Sequence, residues 1–296
     1  MREMLHDVIV IGGSYAGMAA ALQVARARRR VLVIDAGLRR NRFAAHSHGF
    51  LGQDGSAPDE IARQARQQLM AYPTVTWIEG TAIAAERAAD GFAVTMKEAR
   101  SVAGQRLILA LGVSDTLPNV RGMRERWGRS VFHCPYCHGY EIEGPLGVVA
   151  TGPASLNQAL LLSDWGATTF FLNGVFAPDA DQRAQLDARG VAIEEVAIVE
   201  MRGHSDLVLQ GGREISLSGV FVMPAVRPNS SLFEQLGCAM EDGPQGSFIS
   251  TDAFKETSVA GVFACGDAAR PSHSVSLAVG DGALAGQSAH KSLVFR

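Results

Sequence analysis

The stretch that decides the fold runs from Val8 to Asp35 and reads VIVIGGSYAGMAAALQVARARRRVLVID. Val8–Ile11 is a short β-branched run, Ala16–Arg28 is rich in small and apolar residues, and Val31–Ile34 is a second apolar run. Fully apolar runs are typical of parallel strands, which are buried on both faces. A strand, helix and strand within about thirty residues therefore predict the β-α-β unit of a doubly wound α/β fold.

The glycine-rich turn after the first strand predicts a dinucleotide site. It matches G-x-G-x-x-G, except that Ser14 replaces the middle glycine, and Asp35 follows at the end of the next strand. In this pattern the amides of the turn bind a pyrophosphate and the acid accepts ribose hydroxyls. A glycine turn without a ligand is the alternative, but it does not explain the acid in register. The expected dinucleotide contacts are Gly12, Gly13, Ser14, Ala16, Gly17 and Asp35.

A second unit of the same kind organises the middle of the chain. It begins at Gly147–Ala150, continues through a helical Ser155–Trp165 and reaches Thr169–Leu172. A chain of 296 residues exceeds what one core usually absorbs, and proline and glycine accumulate near 112–122 and 242–246. We therefore predict two doubly wound, three-layer dinucleotide-binding-like α/β domains. The second domain, 116–246, is inserted in the first, which comprises 1–115 plus 247–296.

Composition excludes several classes of protein. With 27 Lys and Arg against 30 Asp and Glu, the net charge of −3 provides no field for nucleic acid or anionic membranes. No window contains eighteen uninterrupted apolar residues, and the opening MREMLHD leaves no room for a signal peptide. Four cysteines in so long a chain are not a disulfide scaffold. We expect a cytoplasmic protein with neither nucleic-acid nor membrane partners.

The stretch from His133 to Glu141, HCPYCHGYE, carries the most chemistry. Cys134 and Cys137 can open and close a small disulfide with little backbone motion, which favours redox function. Haem c attachment shares Cys-x-x-Cys-His but requires export. A zinc site would need a fourth ligand, and Cys238 and Cys265 are isolated in the sequence. Glutaredoxins carry Cys-Pro-Tyr-Cys but lack a dinucleotide turn. No metal site is therefore expected.

Two further motifs identify a family. After the first glycine turn, the chain contains Ala110-Leu111-Gly112 and then Thr257-Ser258-x-x-Gly261-Val262-Phe263-Ala264-Cys265-Gly266-Asp267. The last helix is expected to open with Gly280-x-Gly282. Over essentially the whole chain the sequence resembles the low-molecular-weight thioredoxin-reductase-like flavoproteins. The resemblance implies FAD bound to the discontinuous first domain, and a homodimer. It implies FAD contacts from Ala110, Gly112, Gly266, Asp267, Ser274 and Val275.

The resemblance also implies roles around the flavin. Cys137 would be the thiol next to the flavin, and Cys134 would exchange with substrate. His138 stands where ordinary thioredoxin reductases carry an acid-base aspartate, and a histidine near its unperturbed pKa can exchange a proton at neutral pH. By position, Arg40, Asn41 and His48 should approach the flavin or the thiol substrate, with a surface loop as the alternative.

The second nucleotide turn departs from the family. Ala150-Thr151-Gly152-Pro153-Ala154-Ser155 lacks the first glycine, and Leu172–Phe176 lacks the His-Arg-Arg cluster that pairs with the 2′-phosphate of NADPH. Asp179 and Asp181 precede the next basic residue, Arg183. We therefore interpret 116–246 as a degenerate NAD(P)-binding-like domain that carries the cysteine pair.

The predicted function follows from this loss. The chain resembles the NADPH-independent dithiol oxidases, the disulfide-forming enzymes of gliotoxin and holomycin type. The resemblance implies FAD-dependent oxidation of a small-molecule dithiol by way of Cys134 and Cys137, with oxygen as electron acceptor. One alternative is a reductase of a thioredoxin-like protein with NADH, NADPH or ferredoxin as donor. The other is a flavin-binding redox sensor.

Overall fold

The computed structural model describes residues 6–295, so most of the opening segment MREMLHD and Arg296 lie outside the described residues. In chain order the strands are β1 (His6–Ile11), β2 (Val31–Asp35), β3 (Val75–Glu79), β4 (Ala82–Ala88), β5 (Gly91–Met96), β6 (Ser101–Leu109), β7 (Val113–Thr116), β8 (Val131–Phe132), β9 (Leu146–Val149), β10 (Thr168–Phe171), β11 (Ala192–Glu194), β12 (Ile198–Arg202), β13 (Asp206–Leu209), β14 (Glu214–Ile215), β15 (Gly219–Val222), β16 (Ala225–Pro228), β17 (Met240–Gly243), β18 (Gly246–Ile249) and β19 (Val262–Ala264). The helices are α1 (Tyr15–Arg26), α2 (Pro58–Met70), α3 (Pro135–His138), α4 (Ser155–Leu162), α5 (Ala180–Ala188), α6 (Leu232–Leu236) and α7 (Val275–Val294). Short 3-10 turns lie at Arg40–Phe43, Arg124–Arg126 and Gly266–Ala269.

The larger sheet is built on the first β-α-β unit. Its parallel strands run in the order β3-β2-β1-β6, and the C-terminal strand β19 pairs in parallel with the last residues of β6. The antiparallel hairpin β4–β5 pairs with the first residues of β6. The apolar runs of β1 and β2 are buried, as a parallel sheet covered on both faces requires. Parallel strands end at one edge, so the loops after β1, β2, β6 and β19 meet there.

The packing of α1 against α7 depends on glycine. A Cβ at Gly282 would lie 2.0 Å from the carbonyl oxygen of Ala16, and one at Gly286 would lie 2.3 Å from that of Ala20. Only glycine permits so close an approach of two helix backbones. The expected role of Gly280-x-Gly282 as the opening of the last helix is wrong, because α7 begins at Val275 and these glycines lie inside it.

The smaller sheet has the strand order β11-β10-β9-β15-β8, and its paired strands are all parallel. This second unit, with α4 between β9 and β10, confirms the predicted α/β fold of two dinucleotide-binding-like domains. Its strands lie between residues 131 and 222 of the described chain. They therefore lie between β6 and β19 along the chain, although these two strands are neighbours in the larger sheet.

The two crossings between the sheets pair with each other. Strand β7 leads out of the larger sheet and β16 leads back, and they form an antiparallel ladder in which Asp115 faces Val226. Leu232 and Phe233 of α6 already pack in the core of the larger sheet. The proline and glycine near 242–246 instead mark the turn of the hairpin β17–β18. We therefore propose that the inserted domain ends near Pro228 and not at residue 246.

Candidate functional site

The glycine turn lies at the carboxyl edge of the larger sheet. Gly12 has φ +101°, and a Cβ on it would lie 2.1 Å from the carbonyl oxygen of Ala110, just after β6. A Cβ on Gly17 would lie 1.7 Å from the carbonyl oxygen of Gly12. The turn is therefore held against the end of β6, with the helix α1 starting directly behind it. Gly266 also packs closely against α1, since a Cβ on it would lie 2.8 Å from the Cβ of Ala16.

Asp35 closes the other side of the turn. The amide of Gly13 donates to Oδ1 of Asp35 at 3.0 Å. The indole of Trp77 lies directly on Gly13, and the guanidinium of Arg66 stacks on it at 4.4 Å. These residues line a cleft of about 420 Å³ that also contains Arg39. The expected contacts of the first motif are thus brought together in space.

Buried polar atoms along this edge fit the expected FAD. Four of them have no hydrogen-bond partner among residues 6–295, although a buried donor or acceptor is normally paired. They are Nε of Arg39, Oδ1 of Asn41, Nε1 of Trp77 and Nδ1 of His273. Arg39 and Trp77 share the cleft with Asp35, and His273 precedes Ser274. A dinucleotide offers phosphate, hydroxyl and ring atoms to such groups, so the residues present fit FAD.

Arg40 connects the FAD motif to the crossing between the domains. It donates to Asp115 through Nε at 3.0 Å and Nη2 at 2.5 Å, and to Oδ2 of Asp267 through Nη1 at 2.9 Å. Asn41 donates to the hydroxyl of Tyr15 at 3.1 Å. Sequence reasoning missed Asp115, since an isolated aspartate in a short polar segment carries no signal.

The remaining residues of the motif set lie close by. Gly112 has φ +63° and lies between β6 and β7. The hydroxyl of Ser274 caps α7 by accepting from the amide of Leu277 at 3.1 Å, and Val275 begins the helix. An N-terminal cap of this kind stabilises the start of a helix. The loop that carries Asp267 is therefore held between β19 and a capped helix.

Cys134 and Cys137 lie at the carboxyl edge of the smaller sheet. Strand β8 ends at Phe132, Cys134 precedes the single-turn helix α3, and Cys137 lies within it. Their Sγ atoms are 2.7 Å apart, with the Cys137 thiol donating. That hydrogen bond lowers the pKa of Cys134 and, together with burial, raises the pKa of Cys137. The geometry therefore favours a Cys134 thiolate beside a Cys137 thiol, and a thiolate is the form that exchanges.

His138 stacks on the ring of Phe132, with centroids 4.3 Å apart and an interplanar angle of 24°. Burial, followed by the charge of His48, lowers the pKa of His138 to about 4. The expectation of a histidine near its ordinary pKa is therefore wrong, because the imidazole is removed from water against an aromatic ring. His138 is neutral at pH 7 and available to accept a proton. Phe132 was missed because one aromatic in a short strand gives no functional signal.

A cleft of about 800 Å³ opens between the two domains beside His138. Phe43 and His48 of the first domain and Phe132, Glu141 and Ile142 of the second contribute to its lining. Nδ1 of His48 lies 3.4 Å from Oε1 of Glu141 and 3.7 Å from Oδ1 of Asp54. His48 is therefore in the cleft and not in an isolated surface loop.

His133 is a second histidine beside the cysteines, and it is half-buried. Its carbonyl oxygen accepts from Gln158 at 2.7 Å, and its ring centroid lies 6.2 Å from that of His273. Burial, followed by the charge of Arg40, lowers the pKa of His133 to about 3. This side chain is therefore neutral and faces a residue from the other domain.

The second nucleotide turn is occupied by its own side chains. The amide of Thr151 donates to Oγ of the fully buried Ser155 at 3.0 Å, and the Thr151 hydroxyl donates to the carbonyl oxygen of Met223 at 2.7 Å. After β10, the side chain of Asn173 accepts from the amide of Ile198. Groups that would face a phosphate in a working nucleotide turn are used here within the protein.

The other two cysteines are buried. Cys238 contacts the hydroxyl of Thr257 at 3.6 Å, and burial raises the pKa of Cys265 to about 12. Such thiols are inert. Within residues 6–295 no cluster of His, Cys, Asp or Glu is arranged to hold a metal ion. In the same described region no helix is both long and apolar enough to cross a membrane.

Comparison with known proteins identifies similar chains. A family model described as pyridine nucleotide-disulphide oxidoreductase matches residues 6–282. Thioredoxin reductase tcpT of Claviceps purpurea is 33% identical over 306 residues, covering 97% of this chain and 94% of its own. A crystal structure of an oxidoreductase from Agrobacterium tumefaciens is 56% identical with a TM-score of 0.96 and covers 99% of both chains. The crystal structure of HlmI is 37% identical with a TM-score of 0.91, covering 98% of this chain and 93% of that one.

Proposed function

This chain belongs to the pyridine nucleotide-disulphide oxidoreductase family and is a thioredoxin-reductase-like FAD oxidoreductase, and from that premise we propose that it oxidises a small-molecule dithiol to a disulfide. The cysteine pair Cys134–Cys137 would exchange with the substrate, and oxygen would be the final electron acceptor. FAD would be held by the turn Gly12–Gly17, Asp35, Arg40 and Asp267. The domain 116–228 would serve as a scaffold for the cysteines and not as a nicotinamide site.

The observation that carries the proposal is the closed second nucleotide turn. In that turn, the amide of Thr151 donates to the Ser155 hydroxyl, and the Thr151 hydroxyl donates to the carbonyl oxygen of Met223. Arg183, the first cation after β10, pairs with Glu195 at 2.8 Å. A 2′-phosphate would therefore meet carboxylates where it needs an unpaired guanidinium. If no nicotinamide supplies electrons, the dithiol must supply them.

The residues around the cysteines support exchange with a thiol. A substrate thiol would give its proton to His138 and attack Sγ of Cys134, which breaks the Cys134–Cys137 bond. The second substrate thiol would then close the substrate disulfide and release Cys134. When bound, FAD accepts two electrons from the reduced cysteine pair and passes them to oxygen. Arg40, tied to Asp267 and Asp115, places a fixed cation beside this centre.

The interdomain cleft favours a small substrate. Phe43 and Phe132 give it apolar surface, while His138 and Glu141 supply polar groups, and this mixture is typical of small-molecule pockets. A second candidate is a thioredoxin-like protein substrate. It is favoured by Tyr136 and Tyr140, whose side chains are exposed beside the cysteines and could meet a protein surface. The homodimer implied by the family resemblance stays a proposal, which light scattering of the FAD-loaded protein tests.

Anaerobic reduction of the FAD-loaded protein tests the proposed function. We expect dithiothreitol to bleach the flavin rapidly after mixing, whereas NADPH or NADH should leave it yellow. Cys137→Ser should retain FAD but lose bleaching by dithiothreitol, whereas Cys238→Ser, which changes a buried thiol outside the site, should behave as the wild type. Rapid bleaching by NADPH would contradict the proposal, and so would undiminished turnover in Cys137→Ser.

A further inference from the structure

The proposed thiol exchange leaves one proton to be removed. The substrate dithiol gives up two electrons and two protons as its S–S bond forms and the Cys134–Cys137 bond breaks. The reduced pair retains a single proton, since the Cys137 thiol donates to Cys134 across 2.7 Å. Each exchange therefore yields one substrate disulfide, one enzyme thiol, one enzyme thiolate and one free proton. His138 can accept that proton, but it must release it before the next turnover.

His48 is placed to receive it. It lines the same cleft as His138 but comes from the other domain. After burial, the charge of His48 is the second cause that lowers the pKa of His138, so the two rings are within electrostatic reach. Nδ1 of His48 lies between two carboxylates, at 3.4 Å from Glu141 and 3.7 Å from Asp54. The imidazole of His48 therefore faces two carboxylates.

We propose that His48 takes the proton from His138 and passes it to solvent through Glu141 or Asp54, which both approach its Nδ1. The inference rests on the proposed dithiol oxidation, because only that reaction delivers a proton to His138. His48 acts through His138 and is a positioning and relay residue, not a group that touches the substrate sulfur.

The exposed fraction of the side chain is larger for both carboxylates than for His48. It is 19% for His48, 42% for Glu141 and 68% for Asp54. A proton that reaches Asp54 is therefore in contact with bulk water. The route also crosses the domain boundary, since Glu141 follows α3 and Asp54 lies in the loop of His48.

Other charged or titratable groups of the cleft do not offer the same arrangement. Arg129 and Glu143 belong to the second domain, as does His204. His46 lies in the loop of His48, with ring centroids 6.3 Å apart, but its Nδ1 contacts the carbonyl oxygen of Gly55 at 3.1 Å. His46 therefore pairs with backbone and not with a carboxylate. The control is His290, a histidine of α7 that does not line the cleft.

The test follows flavin bleaching by dithiothreitol in the anaerobic, FAD-loaded protein, together with proton release to an indicator dye. We expect His48→Ala to slow both signals about tenfold at pH 7, which is less than the 10²–10⁴-fold typical of a group that exchanges the proton with the reacting atom, because His48 acts through His138. Added imidazole should restore the rate in a concentration-dependent manner, which a purely structural defect would not allow. Glu141→Gln should cause a smaller loss, because Asp54 remains. His290→Ala should match the wild type and should not respond to imidazole.

The outcomes separate this inference from the proposed function. If the wild type is not bleached by dithiothreitol, the proposed function fails and the relay fails with it. If the wild type is bleached and His48→Ala is equally fast, the relay alone is overturned. A slow His48→Ala that imidazole does not accelerate also overturns the relay, since it would reveal a loop defect.

Discussion

The stacking of Phe132 on His138 predicts how the reaction depends on pH. Burial against this ring is the main reason why the pKa of His138 falls from 6.5 to about 4. This lowering of the pKa corresponds to about 3 kcal/mol between the two protonation states. At pH 5 about nine-tenths of His138 is then neutral, whereas an imidazole with the ordinary pKa would be only about 3% neutral. The wild type should therefore retain its base far into the acid range.

Phe132→Leu tests this cause directly. Leucine preserves most of the apolar volume next to Phe221, which lies 5.8 Å away, but removes the stacked ring. We expect the pKa of His138 to rise towards 6.5, so that more of it is protonated and unable to accept a proton as the pH falls. The ratio of kcat/KM between variant and wild type should be near one at pH 8. It should fall at pH 5, by up to about 30-fold in the limit of full exposure.

The assay is dithiothreitol-dependent oxygen consumption between pH 5 and pH 8. Taking the ratio removes the titration of the substrate thiol, which is common to both proteins. Phe170→Leu is the control, since Phe170 is fully buried in β10 and packs on Phe176, and its ratio should not vary with pH. NMR titration of His138 provides a readout without turnover. A flat ratio for Phe132→Leu together with an unchanged His138 titration would refute the reasoning.

Three further predictions concern cofactor binding and stability. Gly17→Ala should yield colourless protein without FAD, because its Cβ would lie 1.7 Å from a carbonyl oxygen. Gly280→Ala, which has open space around its Cβ, should stay yellow, and the absorbance of the two purified proteins tests this difference. FAD added to the apoprotein should quench the fluorescence of Trp77, which lies on the glycine turn, so Trp77→Phe should lose most of the quenching and Trp165→Phe should retain it. His133 has a folded pKa of about 3 against 6.5 when unfolded, so the unfolded chain takes up the proton first and stability falls as the pH drops below 6.5. Between pH 7 and pH 5 the loss is about 2 kcal/mol, and His133→Gln should remove it, as measured by urea unfolding at both pH values; equal losses in both proteins would exclude this origin.

Much of the fold was predictable because its signals are local. The apolar run of β1, the glycine turn and the acid at the end of β2 lie within a few residues of their expected positions. The family resemblance is confirmed by tcpT and by the match to residues 6–282. Strand β4 was missed because AIAAERA has weak strand propensity, and its pairing with β5 across a hairpin overrides that preference.

The sequence by itself determined the chemistry available to this protein: two spaced thiols followed by a histidine, an acid after a glycine turn, and a second turn without its glycine. Each of these is a matter of residue type and spacing along the chain. Only the tertiary structure decided the environments. His138 loses its ordinary pKa because Phe132 covers it, Arg40 meets Asp115 across 75 positions, and His48 meets Glu141 from another domain. Burial and charge proximity depend on which surfaces the fold brings together, and no local pattern encodes them.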